Sequence, residues 1–234
     1  MTSGKLKIMF PVILNVADRL IDTLNGLIEM ENGIVEIRDL LARYTTDVVG
    51  TCAFGLECNC LKYPKTEFRE KSKNVFEHPR HSEFARQLII SFDNLARALH
   101  IKSELTEASD FFTRIVRETI EYREKNDVKR NDFMDLLLQL KNTGRIEGEH
   151  EFIGNLTIDE IAAQAYLFFV AGFDTSSSIM ALTLFELACN PEIQEKARKD
   201  VRLAMKTTNG KITYENLMEM RYLKNVISGK FFIL

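Results

Sequence analysis

Apolar residues recur at three- and four-residue intervals along almost the whole chain. No run alternates with the period of two that a half-buried strand needs, so the pattern predicts a mainly α protein. Residues 9–30 place Phe10, Ile13, Leu14, Ala17, Leu20, Ile21 and Leu24 on one expected buried face, and Asn32-Gly33 supplies the stop. Residues 35–56 repeat the spacing with Ile37, Leu40, Leu41, Tyr44, Val48 and Val49. Asp47 lies among them and is expected to be satisfied by a structural hydrogen bond. Gly55 to Pro64 reads as a turn, and residues 66–77 as a charged surface helix. Phe84, Leu88, Phe92, Leu95 and Leu99 form an amphipathic stripe whose plain reading is core packing. Phe111, Ile115, Val116 and Ile120 mark another helix, and residues 123–132 read as its solvated end and a connector. A short apolar helix over 133–140 leads into the clearest loop, 141–155, with Gly144, Gly148 and Gly154.

The longest periodic run is TIDEIAAQAYLFFVAGFDTSSSIMALTLFELAC, residues 157–189. Thr157 and Glu160 form a capping box, and Leu156 and Ile161 stand where a hydrophobic staple would close. The run should stop before Asn190-Pro191, because proline cannot donate to the ladder and biases its predecessor out of helical geometry. At about 1.5 Å per residue such a helix is about 48 Å long. With most of its surface apolar, it is expected to be a buried central helix.

Its middle breaks the pattern. Ala171-Gly172-Phe173-Asp174-Thr175-Ser176 sets a glycine, a carboxylate and hydroxyls among Leu167, Phe168, Phe169, Val170 and Ile179. Glycine there costs about 1 kcal/mol against alanine, and an unpaired buried carboxylate costs more. The Thr175 hydroxyl can bond the Ala171 carbonyl and loosen the helix. Rules broken together inside a consistent element point to a functional site. Three structural readings stand beside that one. Asp174 can cap a second, shorter helix; the small residues from Gly172 to Ser176 can admit a neighbouring helix; or the run can span a membrane, with its polar centre counting against that.

Composition narrows the function less than the pattern does. The 234 residues are 45% hydrophobic with a net charge of −3 and mixed signs, which gives no nucleic-acid surface. Cys52, Cys58, Cys60 and Cys189 lack paired zinc spacing and read as reduced, buried thiols. His78 and His81 flank Pro79, which disfavours a regular helical metal pair and favours a loop or helix entry. No signal-peptide layout appears. Glu192 with Lys196, and Glu195 with Lys199, are spaced as surface ion pairs.

Ala171 to Ser176 resembles the A-G-x-D-T-[ST] signature on the long distal helix of cytochromes P-450, the haem-thiolate monooxygenases. The flanks FFVAGFDTSSS, LFELACNPEIQEKARKDV and ITYENLMEMRYLKNVI are similar to the family too, as is DLLARYTTDVVGTCAFGLECN, particularly to its insect, xenobiotic-metabolising branch. The resemblance runs from about Thr2 to Ile227. It implies a single partial domain over residues 1–234, the truncated middle portion of that fold. The stripe from Phe84 to Leu99 would then lid the substrate pocket and touch the membrane.

For the site, the resemblance implies Asp174 and Thr175 as catalytic residues delivering protons. Ala171, Gly172 and Thr175 would lie against the haem, and Leu167, Val170 and Ala171 would line a pocket for a lipophilic small molecule. Electrons would come from NADPH through a membrane-bound reductase, on the cytosolic face of the endoplasmic reticulum membrane. No iron ligand is expected here, because none of the four cysteines lies in an F-x-x-G-x-R-x-C-x-G loop. The glutamate and arginine of the family's E-x-x-R helix would fall at Gly229 and Phe232, so residues 228–234 are expected to stem from reading into an intron. The membrane anchor, the early sheet and the W-x-x-x-R helix are likewise expected to be missing. The polypeptide itself is then expected to be inactive, and a non-catalytic helical protein binding apolar ligands or partners is the alternative.

Overall fold

The computed structural model describes residues 3–30, 32–77, 81–101, 106–148 and 151–229. Every regular element among them is helical: α1 (Ser3–Met30), α2 (Ile37–Val49), a π-helical segment (Gly50–Phe54), α3 (Glu67–Glu77), α4 (Glu83–Ser91), α5 (Asp93–Ala98), α6 (Thr106–Asn126), α7 (Phe133–Thr143), α8 (Ile158–Cys189), α9 (Pro191–Lys206), α10 (Tyr214–Glu219) and α11 (Arg221–Ile227). The mainly α expectation is met. Residues cluster into two compact units, 46–170 and 1–45 with 171–234.

The unit of residues 46–170 is built on stacked aromatic rings. Phe112 lies 4.8 Å from Phe169 and 5.4 Å from Phe54, centroid to centroid, and Phe68 adds edge-on contacts to both Phe54 and Phe112. Such offset and edge-to-face pairs add about 0.5–1.5 kcal/mol each beyond the area they bury. The helix expected over 35–56 stays α-helical only to Val49 and then widens into the π segment. Gly55 ends it in the left-handed region, at φ 68°. Asp47, fully buried, accepts from the amides of Cys60 (2.7 Å) and Leu61 (3.1 Å), so its structural role is borne out.

Three sequence readings in this unit need correction. Residues 124–131 are the mostly exposed helix end and connector expected, but the two ends of the run are not solvated. Arg123 and Asp132 are both buried and form a two-pronged ion pair, at 2.9 and 2.6 Å. A run rich in charge hid it, because the partners are nine residues apart and meet only when the chain turns back from α6 to α7. The stripe of Phe84, Leu88, Phe92, Leu95 and Leu99 does not pack into a core: all five are exposed on or beside α4 and α5. The charged helix α3 is also less superficial than expected, since Phe68, Arg69 and Ser72 are buried.

In the other unit, α1 starts at Ser3, ahead of the periodic stripe, and carries Pro11 inside it. Its fully packed residues are Met9 and Val16, two turns apart, while the face read from the sequence is half-buried and Ile21 is exposed. Phe10 packs edge-on against Tyr214 of α10, centroids 5.8 Å apart, and Lys7 pairs with Glu215. Leu187, Ala197 and Val226 make a small core with Ile193 and Tyr222 against it. Asp200 caps α11 by accepting from Tyr222 N (3.0 Å) and Leu223 N (3.1 Å). Glu195 pairs with Arg198 on α9. Of the pair His78 and His81, His78 lies outside the described residues, as do residues 230–234.

Candidate functional site

The long helix forms as its sequence demands. Thr157 N donates to the Glu160 carboxylate (2.8 Å), and Glu160 N donates back to the Thr157 hydroxyl (3.2 Å), which closes the capping box. The Thr157 hydroxyl also donates to the carboxylate at 2.8 Å, and the Thr157 amide first and this hydroxyl second hold the Glu160 carboxyl below the usual carboxylate range. At the other end Pro191 occupies the first turn of α9, and α8 stops at Cys189.

Residues four apart form two ridges along α8. Ile161, Ala165, Phe169, Phe173 and Ser177 are all buried. Two residues on, about 200° around the helix, Ala163, Leu167, Ala171, Thr175 and Ile179 are all exposed. The buried central helix expected from composition is therefore a helix with one packed ridge and one open ridge. Its apolar surface exceeds what the described elements cover, and Leu167, Leu182 and Phe185 each remain more than 60% exposed (61%, 63% and 63%). By length and composition alone α8 is also long and apolar enough to cross a membrane.

The candidate residues gather on the open side. Leu167, Ala171 and Thr175 share the exposed ridge; Val170 and Asp174, half-buried, stand beside it, and Gly172 follows Ala171 around the helix. The helix runs unbroken through 171–176, so Asp174 does not cap a second one. Thr175 donates its hydroxyl to the Ala171 carbonyl at 2.5 Å, as its position predicts. Ser177, on the packed ridge, donates to the Asp174 carbonyl at 3.0 Å. The notch thus combines one half-buried carboxylate, one exposed hydroxyl with a movable proton and a side-chain-free position at Gly172.

The sequence reading missed the polar group around Asp132. Besides Arg123, Asp132 faces Arg130 Nε at 3.6 Å and caps α7 by accepting from Asp135 N at 2.9 Å. Arg130 also donates to the Gly55 carbonyl at 3.2 Å. Gly55 is required twice, by its positive φ and because a Cβ there would lie 1.9 Å from Arg123 Nη2. A cleft of about 270 Å³ opens beside this group, lined by Gly55, Leu56, Tyr122, Val128 and Arg130 among others. Only the asparagine-aspartate step before Phe133, a helix-start signal, pointed to it in the sequence.

A mainly α fold organised by one long helix with a polar notch on its open face defines the class. The family described as Cytochrome P450 matches residues 1–228. The chain is 50% identical over 227 residues to cytochrome P450 6a9 of Drosophila melanogaster and 46% identical to the probable cytochrome P450 6a21 of the same fly. Cytochrome P450 6a2, also from Drosophila melanogaster, is 42% identical over 230 residues. Each comparison covers 97% of this chain and 45–46% of the relative. The chain belongs to the cytochrome P450 family and spans a little under half the length of these relatives.

The family's cofactor is haem, whose iron takes a cysteine thiolate. Burial pushes the Cys52 thiol up to about 12; the charge of Asp132 adds to this and that of Arg130 opposes it. Cys60 is fully buried with its sulfur 3.3 Å from the Thr66 hydroxyl, and Cys58 is half-buried where it would meet any side chain at Gly50. Cys189, expected to be buried, is exposed at the end of α8. Among the described residues no three His, Cys, Asp or Glu side chains gather as a metal site. The residues present do not fit the iron ligand.

Proposed function

We propose that the intact protein is a haem-dependent monooxygenase that inserts one oxygen atom of dioxygen into a lipophilic small molecule. Its electrons come from NADPH through a membrane-bound reductase, at the cytosolic face of the endoplasmic reticulum membrane. The observation that carries this reading is the notch: a glycine, a carboxylate and a hydroxyl on the open side of a helix otherwise made for packing. Ala171, Gly172 and Thr175 form the cofactor-facing surface. Leu167, Val170 and Ala171 supply apolar lining, which suits a lipophilic substrate. Thr175 holds a proton on its hydroxyl, and Asp174, half-buried beside it, exchanges protons with solvent. Residues 1–234 belong to one domain of the intact protein.

The polypeptide by itself carries out no turnover, because its cysteines do not fit the thiolate role. A second reading, a non-catalytic helical protein that binds apolar ligands, draws on the exposed side chains of α4, α5 and α8. Haem titration of the purified chain separates the two. A reduced, carbon-monoxide-bound spectrum of thiolate type would contradict the stated inactivity. Absence of that spectrum with saturable binding of an apolar dye favours the second reading for this chain. In a full-length form, Thr175→Ala should uncouple oxygen consumption from product formation, and unchanged coupling removes Thr175 from the proposed mechanism.

A further inference from the structure

We propose that the cleft between Gly55-Leu56, which follow the π segment, and α6 binds a small lipophilic carboxylate, with Arg130 taking the carboxylate group. The charge of the polar group beside it is unbalanced. Two guanidiniums, Arg123 and Arg130, face one carboxylate, Asp132. Asp132 spends both oxygens on Arg123 and also receives the Asp135 amide, so Arg130 is the less satisfied partner at 3.6 Å. A guanidinium has five N–H donors. Among the described residues, Arg130 meets the Gly55 carbonyl through Nη1 and Asp132 through Nε, and its side chain is 35% exposed. Its planar fork matches a carboxylate.

The walls supply the apolar half of the ligand. Leu56, Ile115, Tyr122 and Val128 line the cleft, and its volume of about 270 Å³ suits a small ring system. The positive excess belongs to the inner end of the cleft, since Glu118, the carboxylate in the lining, is exposed to solvent at the rim. There an anion meets Arg130, and an amine meets a like charge. A second negative charge has no free guanidinium to meet in the lining and lies nearer Glu118, so a monoanion fits better than a dianion. The Cys52 thiol, held neutral by burial, adds no competing anion. This inference does not depend on the monooxygenase reading.

The test uses the purified chain and two probes of one shape, 1-naphthoate and its uncharged amide. The chain has no tryptophan, so naphthalene fluorescence reports binding against a low background. Naphthoate should bind about tenfold more tightly than the amide, the range of one charge-assisted hydrogen bond at a half-exposed site. Arg130→Gln should abolish that preference and leave amide binding in place, with helical circular dichroism retained. Glu118→Gln should tighten naphthoate about twofold by removing a solvated like charge. Equal affinity of the unmodified chain for the two probes overturns the proposal without any variant. So does a preference that survives Arg130→Gln.

Discussion

The α8 notch and the Arg123–Asp132 pair are both polar interruptions of apolar surroundings, and they are settled in opposite ways. Asp132 is closed off from water, and both its oxygens and its capping role are satisfied. The notch lies on an open ridge, where Thr175 is exposed and Asp174 is half-buried. A buried pair of this kind fixes how two helices and a π segment meet; an open carboxylate and hydroxyl remain available for chemistry. Burial together with partnering separates an architectural polar group from a chemical one, and residue type alone does not.

The sharpest way to break this contrast is to remove one partner of the buried pair. Arg123→Met removes the two-pronged partner and leaves buried Asp132 with only the more distant Arg130 as counter-charge, at 3.6 Å. It should cost about 3 kcal/mol, the low end for a broken buried pair, read from denaturant unfolding of the chain. Adding Asp132→Asn, which keeps a capping side chain, should recover much of that loss. If Arg123→Met costs under about 1 kcal/mol, well below that range, the pair is not architectural.

The two ridges of α8 give the next test. Phe169→Ala should cost about 3–5 kcal/mol, since the ring is fully buried among Phe54, Phe68 and Phe112. Leu167→Ala, two residues away, should change stability by no more than about 0.5 kcal/mol. Comparable losses at the two positions would mean that the open ridge is covered in solution. Gly55→Ala should cost about 1–2 kcal/mol for the left-handed conformation alone, with the displacement of Arg123 added to it.

How much of this was legible in the sequence follows from how far each feature reaches along the chain. The capping box, the end of α8 at Cys189 and the Thr175 back-bond are set by residues within four or five positions and were readable. The end of α7 falls at Thr143, where Gly144 caps it, three residues beyond the 140 read from the apolar run. The packing of α4 and α5, the open ridge of α8 and the Arg123–Asp132 pair depend on what else approaches. Period and propensity carry no such information. Asp47 was read correctly because a lone carboxylate on an apolar helical face has few alternatives. Arg123 was misread because its neighbours Glu121, Glu124 and Lys125 made the whole stretch look solvated.

The capping box should respond to both mutation and acid. Thr157→Ala should cost about 1 kcal/mol, detectable as lower helicity and a lower unfolding midpoint. The Glu160 carboxyl has a folded pKa below its unfolded value. Its contribution is therefore complete above the unfolded pKa and is lost as pH falls through the lower, folded value. Fraying of the first turn of α8, followed by amide exchange or nuclear magnetic resonance on acidification, should be absent from Glu160→Gln. Persistence of the same acid transition in that variant would assign it to another carboxylate.

The smallest expected effect is the most informative about the notch. Thr175→Ala removes a hydroxyl that is exposed and bonds only the Ala171 carbonyl of its own helix. Alanine is the better helix former by a few tenths of a kcal/mol, and loss of a back-bond of this type relieves the helix slightly. The substitution should leave stability unchanged or raise it by up to about 0.5 kcal/mol, with helical circular dichroism preserved. An unchanged or raised stability would agree with the proposed chemical role of Thr175 and give it no architectural one. A loss of more than about 1 kcal/mol, beyond what an exposed position normally shows, would place Thr175 with Asp132 among the architectural groups. The contrast between the two polar interruptions would then collapse.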